Sequence, residues 1–332
     1  MRCVAYAAGA LLLSFGLAAP AVAEVEKVLI SYQPGLIYMP VILAGKNKLI
    51  QKHAAAAGLG NVTVDWVKLV SGGAAVEALV TGNIDVVTSG PTNLLAAWDR
   101  TQGEIKGLAA SGGAPMLLVT RNPNVKTLAD FSDKDRIAVP TLKTSPQAVL
   151  LQIAAARQLG EASRHKLDPL TTRVSHPDAV DAVLSDNDQV NSHFSSPPFQ
   201  QIELKDPRVH VVLNSYDLAG GPLTTSVVFS RRQFVDENPK IAQAIVAALE
   251  EADRLIQEDP RKAAELYLAE TREKLTVDEL VDMMRQPGVV FTTTPSGVML
   301  LAEQMVKGGT LKTGPKDWKE VFFPFVHGQP GS

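Results

Sequence analysis

Cysteine is almost absent from this 332-residue chain: the single one, Cys3, lies at the N-terminus. That excludes a disulfide framework and the paired-cysteine spacings of zinc and redox sites. Basic residues are not in excess either, with 32 Lys plus Arg against 35 Asp plus Glu and a net charge of −3, so no nucleic-acid or polybasic membrane surface is indicated. No apolar run reaches the ~20 residues that a membrane span needs. The signatures HExxH, GxSxG and the P-loop are missing. Ser163 to Lys166 matches SxxK by letter only, without its companion motifs, and Gly58-Leu59-Gly60 precedes a strand where a dinucleotide fingerprint needs a helix.

What is present is an ordinary globular composition, 45% hydrophobic and 20% charged, over a length suited to two domains. Residues 1–23 read as a secretory signal: Arg2 gives the positive start, Leu11 to Leu17 the apolar core, and Ala21-Val22-Ala23 a small-x-small cleavage site before Glu24. Removal would take Arg2 and Cys3 with it. The product expected is soluble, outside the cytoplasmic membrane, free of cysteine and slightly more acidic. Cys3 is at the wrong end for a lipoprotein anchor.

Strands expected over 25–31, 62–69, 84–87 and 105–110 alternate with helices over 40–57, 74–81 and 92–101. The rhythm restarts with strands over 136–139, 172–175 and 209–213 and helices over 146–159 and 177–184. Alternation of this kind predicts two α/β lobes, each a mostly parallel, doubly wound sheet. Two proline-containing extended segments, 115–121 and 222–230, read as crossings between the lobes, with Gly220-Gly221-Pro222 as a hinge turn. From Pro239 onward four helices follow, over 241–257, 261–271, 277–285 and 297–307, expected to pack on the first lobe. The division is then 24–114 with 223–332 for the first lobe and 115–222 for the second, sharing a cleft at the carboxyl ends of their strands.

Several strand-to-helix turns carry the candidate site. Ser89-Gly90-Pro91 and Ser145-Pro146 are helix-start signatures, and Ser71 with Gly72 occupies the same kind of turn. Helix starts favour anions through free N–H groups and the helix dipole, although each serine is equally readable as a plain cap. Taken together, the turns 33–40, 71–74, 88–93, 111–115, 141–145, 191–196 and 219–224 contain no Asp or Glu in a chain with 35 acids. That argues against a cationic guest or a hard metal, which want carboxylate oxygens. Lys143, directly before a helix start, is the only Lys or Arg among them and reads either as a point charge for an anion or as a solvated loop lysine. Tyr38, His193 and Phe194 are candidate walls with a polar edge, and His193 is readable equally as a hydrogen-bonded structural group.

Four stretches, TGNIDVVTSGPTNLL, RIAVPTLKTSPQAVLL, NPKIAQAIVAALEEADRLIQEDPRKAAEL and MVKGGTLKTGPKDWKEVF, in this order over nearly the whole exported chain, resemble the periplasmic solute-binding proteins of the nitrate/sulfonate/taurine class of ABC transporters, a class that includes thiamine-pyrimidine-binding relatives. The resemblance implies a type II periplasmic binding protein fold: two doubly wound α/β lobes joined by two crossing segments and closing over a small organic anion. It implies an ABC permease with its ATPase as partner, a monomer, and no cofactor, metal, nucleic acid or catalysis. By position it implies ligand contacts at Tyr38, Ser71, Gly72, Ser89, Lys143, Thr144, Ser145, His193 and Phe194. The sequence departs from the family at Asp188 to His193, where many relatives carry a Gly-x-Val-Asp-Ala-like stretch, and it lacks the cysteine cluster of the pyrimidine-forming eukaryotic relatives. A neutral heteroaromatic ligand, or a secreted enzyme or sensor partner on the same fold, stands as the alternative. The shortage of carboxylates makes taurine less comfortable than an anion without an ammonium group.

Overall fold

The computed structural model describes residues 23–185 and 189–332; the expected export signal, apart from Ala23, lies outside the described residues, as does Asp188. In chain order the first part runs β1 (Lys27–Tyr32), α1 (Met39–Lys46), α2 (Leu49–Ala56), β2 (Thr63–Lys68), α3 (Gly72–Val80), β3 (Val86–Ser89), α4 (Pro91–Arg100) and β4 (Ile105–Gly112). Next come β5 (Leu117–Thr120), β6 (Ile137–Val139), α5 (Pro146–Leu159), β7 (Thr171–Arg173), α6 (His176–Leu184), β8 (Ser192–Ser195), α7 (Phe199–Glu203), β9 (His210–Asn214) and α8 (Ser215–Ala219). The chain then forms β10 (Ser226–Arg231), α9 (Arg232–Glu237), α10 (Pro239–Glu258), α11 (Pro260–Thr271), α12 (Val277–Met284) and α13 (Val298–Lys307).

The strands make two five-stranded sheets, β2-β1-β3-β10-β4 and β7-β6-β8-β5-β9. β1 is parallel to β2 and β3, and β6 is parallel to β7 and β8. β10 is antiparallel to β3 and β4, and β5 is antiparallel to β8 and β9. The sheets are therefore mixed, and the two segments expected as plain crossings supply the reversed strands. The reason is geometric. The parallel strands point their carboxyl ends at the cleft, so a chain arriving from the other lobe enters at that end and runs the opposite way.

Two further expectations are adjusted. The single helix expected over 40–57 is split because Lys48 adopts a left-handed conformation, φ 52°, which turns the chain between α1 and α2. The C-terminal helices do not all pack on the first lobe alone. α10 lies on α1, α2 and β4, and α11 on α1, but α13 packs on both α4 and α5, one helix from each lobe.

α10 shows how the sequence selects its place. Pro239 starts it at a position where no N–H is missed, and Ile241, Ile245, Leu249, Ala252 and Ile256 recur at helical spacing to form its buried stripe. Asp253 interrupts that stripe: it is buried, and its Oδ1 has no hydrogen-bond partner. Burial, helped by the nearby Glu250, pushes its carboxyl up to about 8. The folded state thus holds this proton more tightly than the unfolded chain, so Asp253 lowers stability as pH rises from about 4 toward 8. In thermal melts, Asp253→Asn should match the parent near pH 4 and be more stable at pH 8, by on the order of a few kcal/mol.

Candidate functional site

The cleft opens where the parallel strands end. From the first lobe it is lined by Gln33 after β1, Tyr38, Gly72 after β2, and Ser89, Gly90 and Asn93 around the β3–α4 turn. From the second come Thr141 after β6, Ser145 and Gln147 at the start of α5, His176 after β7 and Ser196 after β8. Met116 and Thr225 close it at the crossings. The cleft is closed down in this structure, with a free volume of only about 20 Å³. Among the described residues no Asp, Glu, Lys or Arg lines it.

Four helices, α3, α4, α5 and α6, begin at this cleft, and each such end contributes roughly 0.3–2 kcal/mol to a nearby negative charge. The caps differ. Ser145 Oγ accepts from Ala148 N at 3.2 Å and Ser175 Oγ from Asp178 N at 3.4 Å. Ser71, at the N-cap of α3, makes no such bond with its side chain. Its hydroxyl instead meets Thr141 Oγ1 at 3.2 Å, and Gly73 N donates to the same Thr141 oxygen at 3.1 Å. A second-lobe side chain thus caps a first-lobe helix.

The lobes approach closely elsewhere along the cleft. A Cβ on Gly90 would lie 2.3 Å from Pro146 Cγ of the second lobe. Leu36 N donates to Pro197 O across the cleft at 2.9 Å. Within the first lobe Asn93 Nδ2 donates to Ser89 Oγ at 3.0 Å, and Gln33 Nε2 to Thr88 O at 3.0 Å. Tyr38 forms an apolar wall, and burial pushes its phenol well above the usual range, which keeps it neutral.

His176 is the focal polar group of the second lobe. Its Nε2 lies 3.2 Å from Gln147 Nε2 and 3.4 Å from Ser196 Oγ. Its Nδ1 lies 2.7 Å from His193 Nε2, and His193 Nδ1 lies 2.7 Å from Glu203 Oε1. The His176 ring also stacks on Phe199, with centroids 5.5 Å apart. Burial first, and the adjacent His193 second, hold the His176 imidazole well below the usual histidine range.

Of the residues singled out in the sequence, Tyr38, Gly72, Ser89 and Ser145 come together on the cleft, with Ser71 at its edge. His193 stands behind His176, fully buried. Phe194 points to the other face of β8 and is also fully buried, in the core, because neighbours on a strand face opposite sides. Lys143 is exposed, in a left-handed turn at φ 66°, and does not line the cleft. Thr144 faces a separate pocket of about 700 Å³, beside Asn93 and Thr310. Gln33, Asn93, Thr141, Gln147, His176, Ser196 and Thr225 were not singled out. For His176 a signal was available: Ser175-His176-Pro177 repeats the Ser-before-Pro helix start of the other turns. Among the described residues no group of three or more His, Cys, Asp or Glu is placed to hold a metal ion.

The sequence profile of the NMT1-like family matches residues 21–270. The chain belongs to this family. A putative aliphatic sulfonates-binding protein of Escherichia coli (strain K12) is 27% identical to it over 252 residues, 74% of this chain and 72% of that protein. The taurine-binding periplasmic protein of the same organism is 26% identical over 237 residues, 70% of this chain and 67% of that protein. Among solved structures, the alkanesulfonate-binding protein SsuA from Xanthomonas axonopodis pv. citri, bound to MOPS, aligns with a TM-score of 0.70 at 19% identity, covering 88% of this chain and 96% of that one. The periplasmic nitrate-binding protein NrtA from Synechocystis PCC 6803 aligns with a TM-score of 0.67 at 18% identity, covering 89% and 84%. These structural likenesses bear on the fold: two α/β lobes of the periplasmic binding protein type. Among the described residues no helix is long and apolar enough to cross a membrane.

Gly90 offers a direct check on the closed cleft. Its backbone, φ −70° and ψ 150°, suits alanine, so Gly90→Ala meets only the obstruction from Pro146. The variant should fold with a melting temperature near the parent's but scatter X-rays as a more open particle. An unchanged scattering profile would show that the two turns are free to separate without changing the overall shape.

Proposed function

We propose that this protein is the extracytoplasmic binding component of an ABC importer, exported by residues 1–23 and acting as a monomer. It captures a small organic anion, a sulfonate or carboxylate, between the lobes and delivers it to a membrane permease with its ATPase. The observation that carries the ligand class is the lining: four helix starts, the hydroxyls of Ser89, Thr141 and Ser196, and the amides of Gln33, Asn93 and Gln147, with no carboxylate among them. Such a surface offers donors to an oxyanion and nothing ionic to an ammonium group. Taurine therefore ranks below an alkanesulfonate of the same length. Tyr38, Ile37 and Met116 provide apolar surface for the organic part.

In this reading Tyr38, Ser71, Gly72, Ser89 and Ser145 contact or frame the ligand, as expected from the sequence, with Gln147 and His176 added. Lys143, Thr144 and Phe194 have no direct part, and His193 acts through His176. The names of the relatives, sulfonate-, taurine- and nitrate-binding proteins, support the same class and favour capture over turnover.

Thermal melts with alkanesulfonates, aliphatic carboxylates, nitrate, taurine and a neutral pyrimidine test the proposal. An anion at a hundredfold excess over its Kd should stabilise the protein by about 2.7 kcal/mol and be recovered unchanged. Stabilisation by the pyrimidine alone, or chemical conversion of the added compound, would overturn it.

A further inference from the structure

The cleft wall holds a chain of three groups that anion capture by helix starts and amides does not require: Glu203, His193 and His176, linked at 2.7 Å and 2.7 Å. Glu203 and His193 are fully buried, and Glu203 Oε2 has no hydrogen-bond partner. A carboxylate only accepts, so His193 Nδ1–H donates to Glu203. With no added proton, His193 Nε2 then accepts from His176 Nδ1–H. That leaves the His176 Nε2 lone pair on the cleft side, where Gln147 Nε2 and Ser196 Oγ donate to it. An acceptor aimed into an anion site opposes the anion, and the lining has no Lys or Arg to offset it.

We infer that an anion entering the cleft brings a proton with it, taken up on the His176–His193 pair and held from behind by Glu203. The inference rests on the anion reading of the cleft. The added proton converts His176 Nε2 to a donor, whichever of the two rings carries the charge. Gln147 is built to follow, because its Oε1 is buried without a partner and a half-turn of the amide lets it accept from the new N–H. The pair becomes a cation between two anions, Glu203 and the ligand, which replaces an unpaired buried charge by a compensated one.

No other ionisable group competes for this role among the described residues. β5 and β6 carry none, and α5 carries only Arg157, at its far end and bonded to the Leu218 carbonyl. Asp178 and Asp181 of α6 are exposed, Lys205 pairs with Glu279, and Asp206 pairs with Arg208. His210 of β9 bonds to Val125 O. Arg121, Asp135 and Arg136 lie at the end of the sheet opposite the cleft.

Calorimetric titration of the full chain with ethanesulfonate, in two amine buffers of different ionisation enthalpy, counts the protons. Uptake should approach one per anion at about pH 8, with Kd rising about tenfold per pH unit on the alkaline side, because the complex holds the extra proton and the free protein does not. Glu203→Gln keeps an acceptor for His193 but removes the charge, and should weaken binding about tenfold at neutral pH and reduce the uptake. His176→Gln should bind with a pH-independent Kd, and melting of each free variant confirms that it is folded. Binding without proton uptake, at a Kd unchanged between about pH 6 and pH 9, overturns the inference and leaves the proposed function standing. Failure of ethanesulfonate and propionate alike to bind at any pH removes both.

Discussion

Where helix starts from the two lobes meet at the cleft, they are joined by one polar cluster and one steric contact. Thr141 Oγ1 accepts from Gly73 N and meets the Ser71 hydroxyl, so the first turn of α3 is capped by the opposite lobe. A few residues away Gly90 lies against Pro146, with no room for a side chain. Both contacts join helix starts, the places where an oxyanion would also bind. An oxyanion seated between these turns would meet the same helix starts that the inter-lobe contacts join.

Electrostatically the site is layered. The surface that faces the guest is neutral, made of hydroxyls, amides and helix ends. The lining also holds the Tyr38 phenol and the His176 imidazole, whose burial disfavours their charged forms, and the carboxylate of Glu203 lies one ring behind His176. A lysine in the lining would bind any anion strongly and release it slowly. A neutral lining backed by a proton acceptor grades the attraction according to whether a negative charge is present.

The architecture was readable because hydrophobic periodicity and helix-start chemistry are local. α5 begins at Pro146 and ends at Leu159, as the Ser-Pro start and the Gly160 stop require. The reversed strands were not readable, since a short apolar run such as Leu117–Thr120 says nothing of its direction until the lobe it enters is known. For the site, absence of acid in the turns translated directly into an acid-free lining. Individual residues fared less evenly. Lys143 stood beside the correct helix start, but it sits exposed in a left-handed turn, and Phe194 is kept from the cleft by the alternation of β8, in which it follows His193. His176 belonged to a turn with the same signature as the others, and only the fold shows that its ring and that of His193 adjoin.

α13 lies against α4 and α5, and Arg164 of the second lobe donates to Gln304 on it at 3.1 Å. Those two helices are the ones whose starts meet at Gly90 and Pro146. A rotation that parted those starts would therefore have to shift α5 against α13.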